Sequence, residues 1–160
     1  MENYRIGFGY DSHRFTGAKP LRLGGVTIPG APGLQGHSDG DALVHALIDA
    51  LLGAAALGDI GERFPDSDPA WQDADSAMLL DRVVREVSDA GWRVGNVDAT
   101  IICERPRLRA YASDIRASLA ERLHIPMDSV SVKGKTNEGM DSTGQGVGLA
   151  VHCVALLVRR

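Results

Sequence analysis

The chain has 160 residues, 44% of them hydrophobic, which fits one domain over residues 1–160 with a substantial core. Its formal net charge is -4, and its arginines are scattered apart from the segment 105–109, so we expect no nucleic-acid partner. The sequence has neither the start of a secretory signal nor an apolar run long enough to cross a bilayer. We therefore expect a cytoplasmic protein with no membrane partner.

The first 36 residues predict a strand, a hairpin and a loop. Tyr4–His13 is predicted as a strand, with polar residues gathering at its far end, where it should leave the sheet. A double-glycine turn at 24–25 between two short apolar segments, 21–23 and 26–28, predicts a hairpin. Residues 29–36 contain two prolines and three glycines, which predicts a loop.

The middle of the chain predicts a helix followed by a long polar connection. Ser38 or Asp39 can cap the helix, whose apolar stripe continues to its end near Leu57-Gly58. Residues 59–73 combine aspartates with prolines and are long for a simple connection. Such a loop often carries function.

The second half of the chain predicts two more helices and three strands. The predicted helices cover about 75–90 and 111–123, and the predicted strands are Val94–Cys103, Ser129–Lys133 and Val147–Val158, with a glycine-rich loop at 134–148. Cys103 and Cys153 fall in apolar strands, which indicates buried thiols.

The last predicted strand is apolar on both faces. Helices on one side of an open sheet cover only one face, so we expect the other face to pack on another subunit. A closed homo-oligomer is the simplest source of that partner.

Asp11 and His13 are two residues apart on an extended segment, so their side chains project to the same side and can reach one cation. A carboxylate oxygen and an imidazole nitrogen are ordinary zinc ligands. The alternative from these two residues alone is a solvated strand end.

His45 lies on the apolar-striped helix, with Asp41 and Asp49 four residues before and after it on the same face. One of these carboxylates could hold the ring nitrogen that does not ligate metal. With Asp11 and His13, His45 would complete three ligands and leave a fourth position open for a substrate oxygen. The alternative is an exposed acidic helix face.

Two further segments carry residues suited to phosphate binding. His37 and Ser38 precede the same helix, whose unpaired N–H groups and positive dipole end favour a phosphate, although His37 could also be an ordinary loop histidine. The segment from Lys133 to Glu138 offers cations, a hydroxyl and a carboxylate to a phosphate-bound cation. The residues alone indicate a metal-dependent enzyme acting on a phosphorylated small molecule.

Four segments together form a specific pattern. They are Gly7–His13, His37–Asp41 with His45 and Asp49, Leu57–Gly61 with Phe64–Asp68, and Lys133–Glu138. In these segments the chain resembles the 2-C-methyl-D-erythritol 2,4-cyclodiphosphate synthase family of the non-mevalonate isoprenoid pathway, over essentially its whole length. The resemblance implies an α/β (α+β) fold: a four-stranded mixed sheet with helices packed on one face plus a small hairpin. It also implies a homotrimer with active sites between neighbouring subunits.

The resemblance implies two metal ions and an intramolecular phosphoryl transfer. One Zn2+ per chain would be bound by Asp11, His13 and His45, and Glu138 would hold Mg2+ or Mn2+ between the two phosphates of the substrate's cytidine diphosphate portion. The 2-phosphate of 4-diphosphocytidyl-2-C-methyl-D-erythritol 2-phosphate would attack the β-phosphorus and release CMP. By position, His37 and Thr136 would be catalytic and would stabilise the transferring group.

The resemblance also implies which residues contact the cytidine-diphosphate substrate. Aspartates of the polar connection would meet sugar and erythritol hydroxyls, and the segment Cys103–Arg109 would cradle cytosine, largely through backbone groups. The implied substrate-binding residues are Asp11, His13, His37, Ser38, Asp59, Gly61, Phe64, Asp66, Asp68, Cys103, Arg105, Arg107, Leu108, Arg109, Lys135, Thr136, Glu138, Ser142 and Gln145.

The last loop departs from the common family pattern. Lys135 and Asn137 replace threonines, and Ser142 and Gln145 stand where an aromatic residue and an arginine are common. This departure weakens any inference about isoprenoid binding in a central trimer cavity. The alternatives to the implied activity are a metal-dependent phosphoesterase and a non-catalytic trimeric binding module stabilised by zinc.

Overall fold

A computed structural model describes residues 3–160 of the chain. Met1 and Glu2, on which the expected lack of a secretory signal partly depends, lie outside the described residues. The strands are β1 (Tyr4–Leu23), β2 (Val26–Leu34), β3 (Trp92–Ile102), β4 (Val130–Lys135) and β5 (Gly148–Arg159). The α-helices are α1 (Ala42–Ala55), α2 (Ile60–Arg63), α3 (Ser76–Asp89), α4 (Ala112–Leu123) and α5 (Asp141–Gly144), and single 3-10 turns cover Pro69–Trp71 and Met127–Ser129.

The five strands form one mixed sheet in the order β2-β1-β5-β3-β4. Only β3 and β4 are parallel; the other neighbouring pairs are antiparallel. The predicted α+β class and mixed sheet are confirmed, but the predicted four strands plus a separate hairpin are wrong. The hairpin is the far half of β1 together with β2, and these two strands continue the sheet as its edge.

The long first strand explains that error. β1 continues through Asp11 and His13, which pair with Val151 and Leu149 of β5, so the polar residues do not mark a strand end. Residues 29–34, predicted as a loop, extend β2, because an edge strand tolerates prolines that cannot donate to a ladder. The register between β1 and β2 shifts near Pro20, where the strand is irregular. The predicted turn at 24–25 is confirmed by the flanking pair Leu23 and Val26.

Helices α1, α3 and α4 cover one face of the sheet, as predicted. α1 is buried on almost every side: 11 of its 14 residues are buried, all of them apolar. Gly7 and Gly9 of β1 face this helix, and a Cβ on either would overlap the carbonyl oxygen of Ala50 or Ala46, respectively. These two glycines therefore allow the helix backbone to lie directly on the strand.

The start of α1 differs from the prediction. Its cap is Asp41, whose side chain accepts from the Val44 N–H at 3.0 Å, and not Ser38 or Asp39. Gly40 has a φ of 74°, which keeps the backbone out of the helix until Asp41. Asp41 is fully buried and also accepts from the Gly24 and Gly25 N–H groups at 2.9 and 2.7 Å, so it joins the helix start to the hairpin turn.

The remaining predicted helices and strands agree with the structure to within a few residues, but the two predicted loops contain short helices. α2 and a 3-10 turn interrupt residues 59–73, and α5 interrupts residues 134–148. Both cysteines are buried, as predicted. Burial raises the pKa of the Cys103 thiol to about 11 and that of Cys153 to about 12, so neither side chain is suited to act as a nucleophile.

The other face of the sheet carries large apolar side chains without a helix above them. We call this surface the outer face; on β1 it consists of Tyr4, Ile6, Phe8 and Tyr10, which are 62, 67, 59 and 50% exposed. Val154 of the neighbouring β5 is 42% exposed. A row of adjacent exposed apolar side chains of this kind is typical of an interaction surface. Within residues 3–160, no helix is long and apolar enough to cross a membrane.

Candidate metal centre and substrate cavity

Three side chains from two elements converge between the sheet and α1. Asp11 and His13 continue the row of Gly7 and Gly9 on the helix-facing side of β1, since alternate residues of a strand share one face. His45 lies in the first turns of α1 and faces them. The close approach of this helix to the two glycines brings His45 within reach of Asp11.

The three candidate ligand atoms lie within 4.8 Å of one another, so the predicted convergence is confirmed. The Asp11 Oδ2 atom is 2.8 Å from His13 Nε2 and 3.1 Å from His45 Nδ1. One carboxylate oxygen and two imidazole nitrogens at this spacing suit zinc or a similar transition metal. All three residues are partly exposed, which leaves an open side toward the cavity described below.

Hydrogen bonds within the cluster shift the pKa values of two of its members. Burial alone would raise the pKa of Asp11, but the hydrogen bonds from His13 and His45 outweigh it and lower that pKa below its ordinary value. The hydrogen bond with Asp11 raises the pKa of His13, although burial opposes the shift. Asp11 therefore favours its carboxylate form, which is the form that ligates a metal ion.

The second nitrogen of His13 supports the fit to a metal. His13 Nδ1 contacts the backbone carbonyl oxygen of Gln35. Because a carbonyl only accepts, Nδ1 carries a hydrogen, so Nε2 is the nitrogen that would ligate a cation once the cation replaces the hydrogen shared with Asp11. A backbone carbonyl behind a metal-ligating histidine is a common way to hold the ring in its binding orientation.

The environment of His45 contradicts one prediction. Asp41 caps α1, and Asp49 accepts from the Ile60 N–H at 2.8 Å, so neither holds the far nitrogen of His45. That nitrogen, Nε2, is 2.8 Å from Ser76 Oγ and 3.1 Å from Ser38 Oγ. Sequence reasoning missed Ser76 because it lies 31 residues away, at the start of α3, and no spacing rule links it to the helix of His45.

A cavity of about 310 Å³ opens beside the cluster. Among its lining residues are all three candidate ligands and five further predicted site residues: His37, Ser38, Gly61, Phe64 and Asp66. His37 Nε2 is buried, and no hydrogen-bond partner reaches it among the described residues. The cavity therefore combines a cation site with an unpaired polar atom, which suits a polar ligand.

Residues that the sequence did not predict also line this cavity. Trp71 packs edge-on against Phe64, with ring centroids 5.0 Å apart, and both rings form part of the wall. The guanidinium carbon of Arg82, on α3, lies 5.6 Å from the centroid of each ring. Its Nε is 3.2 Å from the Glu86 carboxylate on the same helix, so Arg82 links the two aromatic rings to α3. An aromatic side chain in an aspartate-rich connection is the only sequence signal that could have identified Trp71.

Two predicted site residues cap short helices within residues 59–73. The Asp59 and Asp68 side chains cap α2 and the following 3-10 turn, and both accept a backbone N–H at 2.9 Å. Neither residue lines the cavity. Their implied contacts with substrate hydroxyls remain predictions.

The implied cytosine-binding segment lines a different cavity. This second cavity, of about 460 Å³, is bordered by Cys103, Arg107, Leu108 and Arg109 and by Lys135 and Thr136 at the end of β4. β4 is three strands away from β1 in the sheet, a separation of roughly 14 Å. Within one chain, the two groups of predicted site residues are therefore apart.

The remaining predicted residues lie around these two regions. Thr136 Oγ1 is 3.3 Å from the exposed Glu138 carboxylate, so these two residues are adjacent. Ser142 lines a small cavity with His13 and Arg14, whereas Gln145 lines a large open one with Arg105 and Arg107. None of Glu138, Ser142 and Gln145 lines the cavity beside the metal cluster, although Ser142 shares its small cavity with the candidate ligand His13.

The fold and the site define a class of protein: an α+β chain with a three-residue metal-binding cluster that opens into a polar cavity. The model of the YgbB family matches residues 4–158. The chain belongs to this family.

Relatives and solved structures give the same assignment. The chain is 54% identical to the 2-C-methyl-D-erythritol 2,4-cyclodiphosphate synthase of Pseudomonas aeruginosa (strain UCBPP-PA14), covering 98% of this chain and 99% of that one. It is 52% identical to the synthase of the same name from Salinibacter ruber, over 96% of this chain and 98% of that one.

Solved structures of similar proteins have the same fold as this chain. A solved 2C-methyl-D-erythritol-2,4-cyclodiphosphate synthase in a CDP-bound form superposes with a TM-score of 0.88 at 38% identity, covering 96% of this chain and 99% of that one. The bifunctional IspDF of Campylobacter jejuni gives a TM-score of 0.95 at 36% identity, with 98% of this chain matching 42% of the larger one.

Proposed function

We propose that the chain converts 4-diphosphocytidyl-2-C-methyl-D-erythritol 2-phosphate to 2-C-methyl-D-erythritol 2,4-cyclodiphosphate and CMP, in the non-mevalonate isoprenoid pathway. The observation that carries the proposal is the Asp11, His13 and His45 cluster in the wall of the cavity. Full-length similarity to synthases of that name supports it. A cytoplasmic location and a single domain over residues 1–160 remain predictions.

The reaction forms one bond and breaks one. An oxygen of the 2-phosphate bonds to the β-phosphorus, the bond from that phosphorus to the bridging oxygen breaks, and CMP leaves with the electron pair. No water is consumed and no protein nucleophile is needed, so catalysis depends on positioning and charge neutralisation. Zn2+ on the three ligands, and Mg2+ or Mn2+ at Glu138, would supply positive charge to the phosphates.

The chain's own residues would hold the substrate in line. His37, whose Nε2 has no protein partner within the described residues, would donate to the transferring phosphate, and Thr136 would contact it from the β4 end. Asp66 and Gly61 in the first cavity would meet erythritol hydroxyls. The segment 103–109 would cradle cytosine in the second cavity, as the CDP-bound relative suggests for a cytidine nucleotide.

The test is turnover of this substrate with and without a chelator, with CMP and orthophosphate measured together. We expect CMP, no orthophosphate, and loss of the rate when metal is removed. Orthophosphate release would instead indicate a phosphoesterase. Bound metal without any turnover would indicate a binding module, and full activity without metal would contradict the proposed metal centre.

The proposal includes a homotrimer with active sites between neighbouring subunits. The exposed outer face gives the chain an apolar surface for association. The two groups of predicted site residues line separate cavities in one chain, so they could form a single site only across an interface between chains. The metal cluster of one chain and Thr136 of its neighbour would then form one site.

Co-expression of two inactive variants tests this arrangement. His45→Ala removes the metal half of the site and Thr136→Ala removes the other half, so each homogeneous preparation should be nearly inactive. Random mixed trimers should recover about a quarter of the wild-type rate, because one interface in four combines two intact halves. The controls are each variant alone and the solution mass of three chains. No recovery in mixed trimers would contradict shared sites.

A further inference from the structure

Ser76, the first residue of α3, lies directly behind the metal cluster. Its side chain is fully buried, and its Oγ is 2.8 Å from His45 Nε2, on the side of the ring away from Asp11. The same Oγ donates a short hydrogen bond to Asp39 Oδ1. A chain of contacts therefore links the Asp39 carboxylate through one hydroxyl to a candidate metal ligand.

Counting hydrogens sets the direction of this chain of contacts. The Asp39 carboxylate also accepts the N–H groups of Asp41 and Ser76, each at 3.1 Å, so its oxygens act as acceptors throughout. The single hydrogen of the Ser76 hydroxyl goes to Asp39, and Ser76 Oγ can then only accept from His45. When a cation binds Nδ1 in place of the hydrogen shared with Asp11, the one hydrogen left on the His45 ring is on Nε2.

The position of this hydrogen matters for metal binding. With Nε2 protonated, the lone pair of His45 lies on Nδ1, which faces Asp11 Oδ2 at 3.1 Å. The competing tautomer would need Ser38, 3.1 Å away, to donate to Nε2 instead. That tautomer would put a hydrogen where the cation has to bind.

We propose that Asp39 and Ser76 are positioning residues that hold His45 in its metal-binding tautomer and orientation. This inference rests on the proposed metal centre. His45 is on α1, whereas the hydroxyl that holds its ring comes from α3. A carboxylate that acts on a ligating histidine through a hydroxyl fixes the tautomer and orientation of the ring, as a direct carboxylate contact does.

The test compares zinc affinity, measured by competition with a chromophoric chelator, in matched variants. Ser76→Ala removes the acceptor and should weaken zinc binding about 10- to 100-fold. The double variant with Ser38→Ala prevents Ser38 from replacing it and should be at least as weak. Asp39→Asn keeps an acceptor for the Ser76 hydroxyl but removes the charge, so it should lie between wild type and Ser76→Ala.

Ser118→Ala is the control, since Ser118 also loses a 2.7 Å hydrogen bond, to the Gly24 carbonyl, but on α4. It should leave zinc affinity unchanged. The absorption bands of the Co2+-substituted protein should shift in Ser76→Ala and not in Ser118→Ala. A wild-type zinc affinity in the Ser38→Ala, Ser76→Ala double variant would overturn the inference, whereas a wild-type protein that binds no zinc would overturn the metal centre itself.

Discussion

His45→Ala is expected to lose both the bound metal and CMP release. Two ligands from one strand remain, and a two-ligand site does not hold zinc against water at ordinary protein concentrations. Loss of several kcal/mol of charge stabilisation corresponds to a fall in turnover of roughly a thousand-fold or more. Metal content per chain and the rate of CMP formation, measured on the same preparation, check both parts.

The control for His45→Ala is a histidine substitution away from both cavities. His124 ends α4 in a left-handed conformation, so His124→Asn preserves the backbone there and should keep metal and rate. The fold of His45→Ala should remain, because its alanine leaves the apolar contacts of α1 in place. Full metal content in His45→Ala would mean that the cluster is not the binding site.

Gly9→Ala is expected to be severely destabilising. The new Cβ would overlap the carbonyl of Ala46, which belongs to the backbone of α1 and cannot rotate away. Forcing the helix off the strand should cost about 1–3 kcal/mol or more in the free energy of unfolding, measured by denaturant titration of metal-free protein. Zinc affinity should fall as well, since His45 lies next to Ala46 on the displaced helix.

Gly17→Ala supplies the matched control in the same strand. A Cβ at Gly17 would meet nothing within 4 Å, so this variant should unfold within about 0.5 kcal/mol of wild type. Equal stability of the Gly9 and Gly17 variants would show that direct backbone contact between α1 and β1 is not required.

Most of the fold could be predicted from local patterns. The apolar stripe of α1 is a local signal, and the helix is where that signal indicates. The join of the hairpin to the main sheet could not be predicted, because it depends on β1 continuing past polar Asp11 and His13. From sequence alone, polar residues within a strand indicate the end of that strand unless a functional site accounts for them.

The three candidate metal ligands could be predicted from the sequence, but the residue that supports His45 could not. The convergence of Asp11, His13 and His45 could be predicted from residue type and spacing, but those residues alone left a solvated strand end open, and the family resemblance favoured the metal site. The support of His45 could not be predicted, since Ser76 arrives through the packing of α3 and the local pattern favoured Asp41 or Asp49 instead. Capping explains the difference: an aspartate near a helix start satisfies backbone N–H groups before it reaches a side chain.

The outer face has a consequence for how stability should be measured. In a closed assembly, the burial of Ile6 and Phe8 adds to the free energy of unfolding only while neighbours are present, so the midpoint of unfolding depends on protein concentration. A newly made chain would expose this row until the proposed trimer forms. Folding and association are then linked by mass action, and dilution alone would lower both stability and activity.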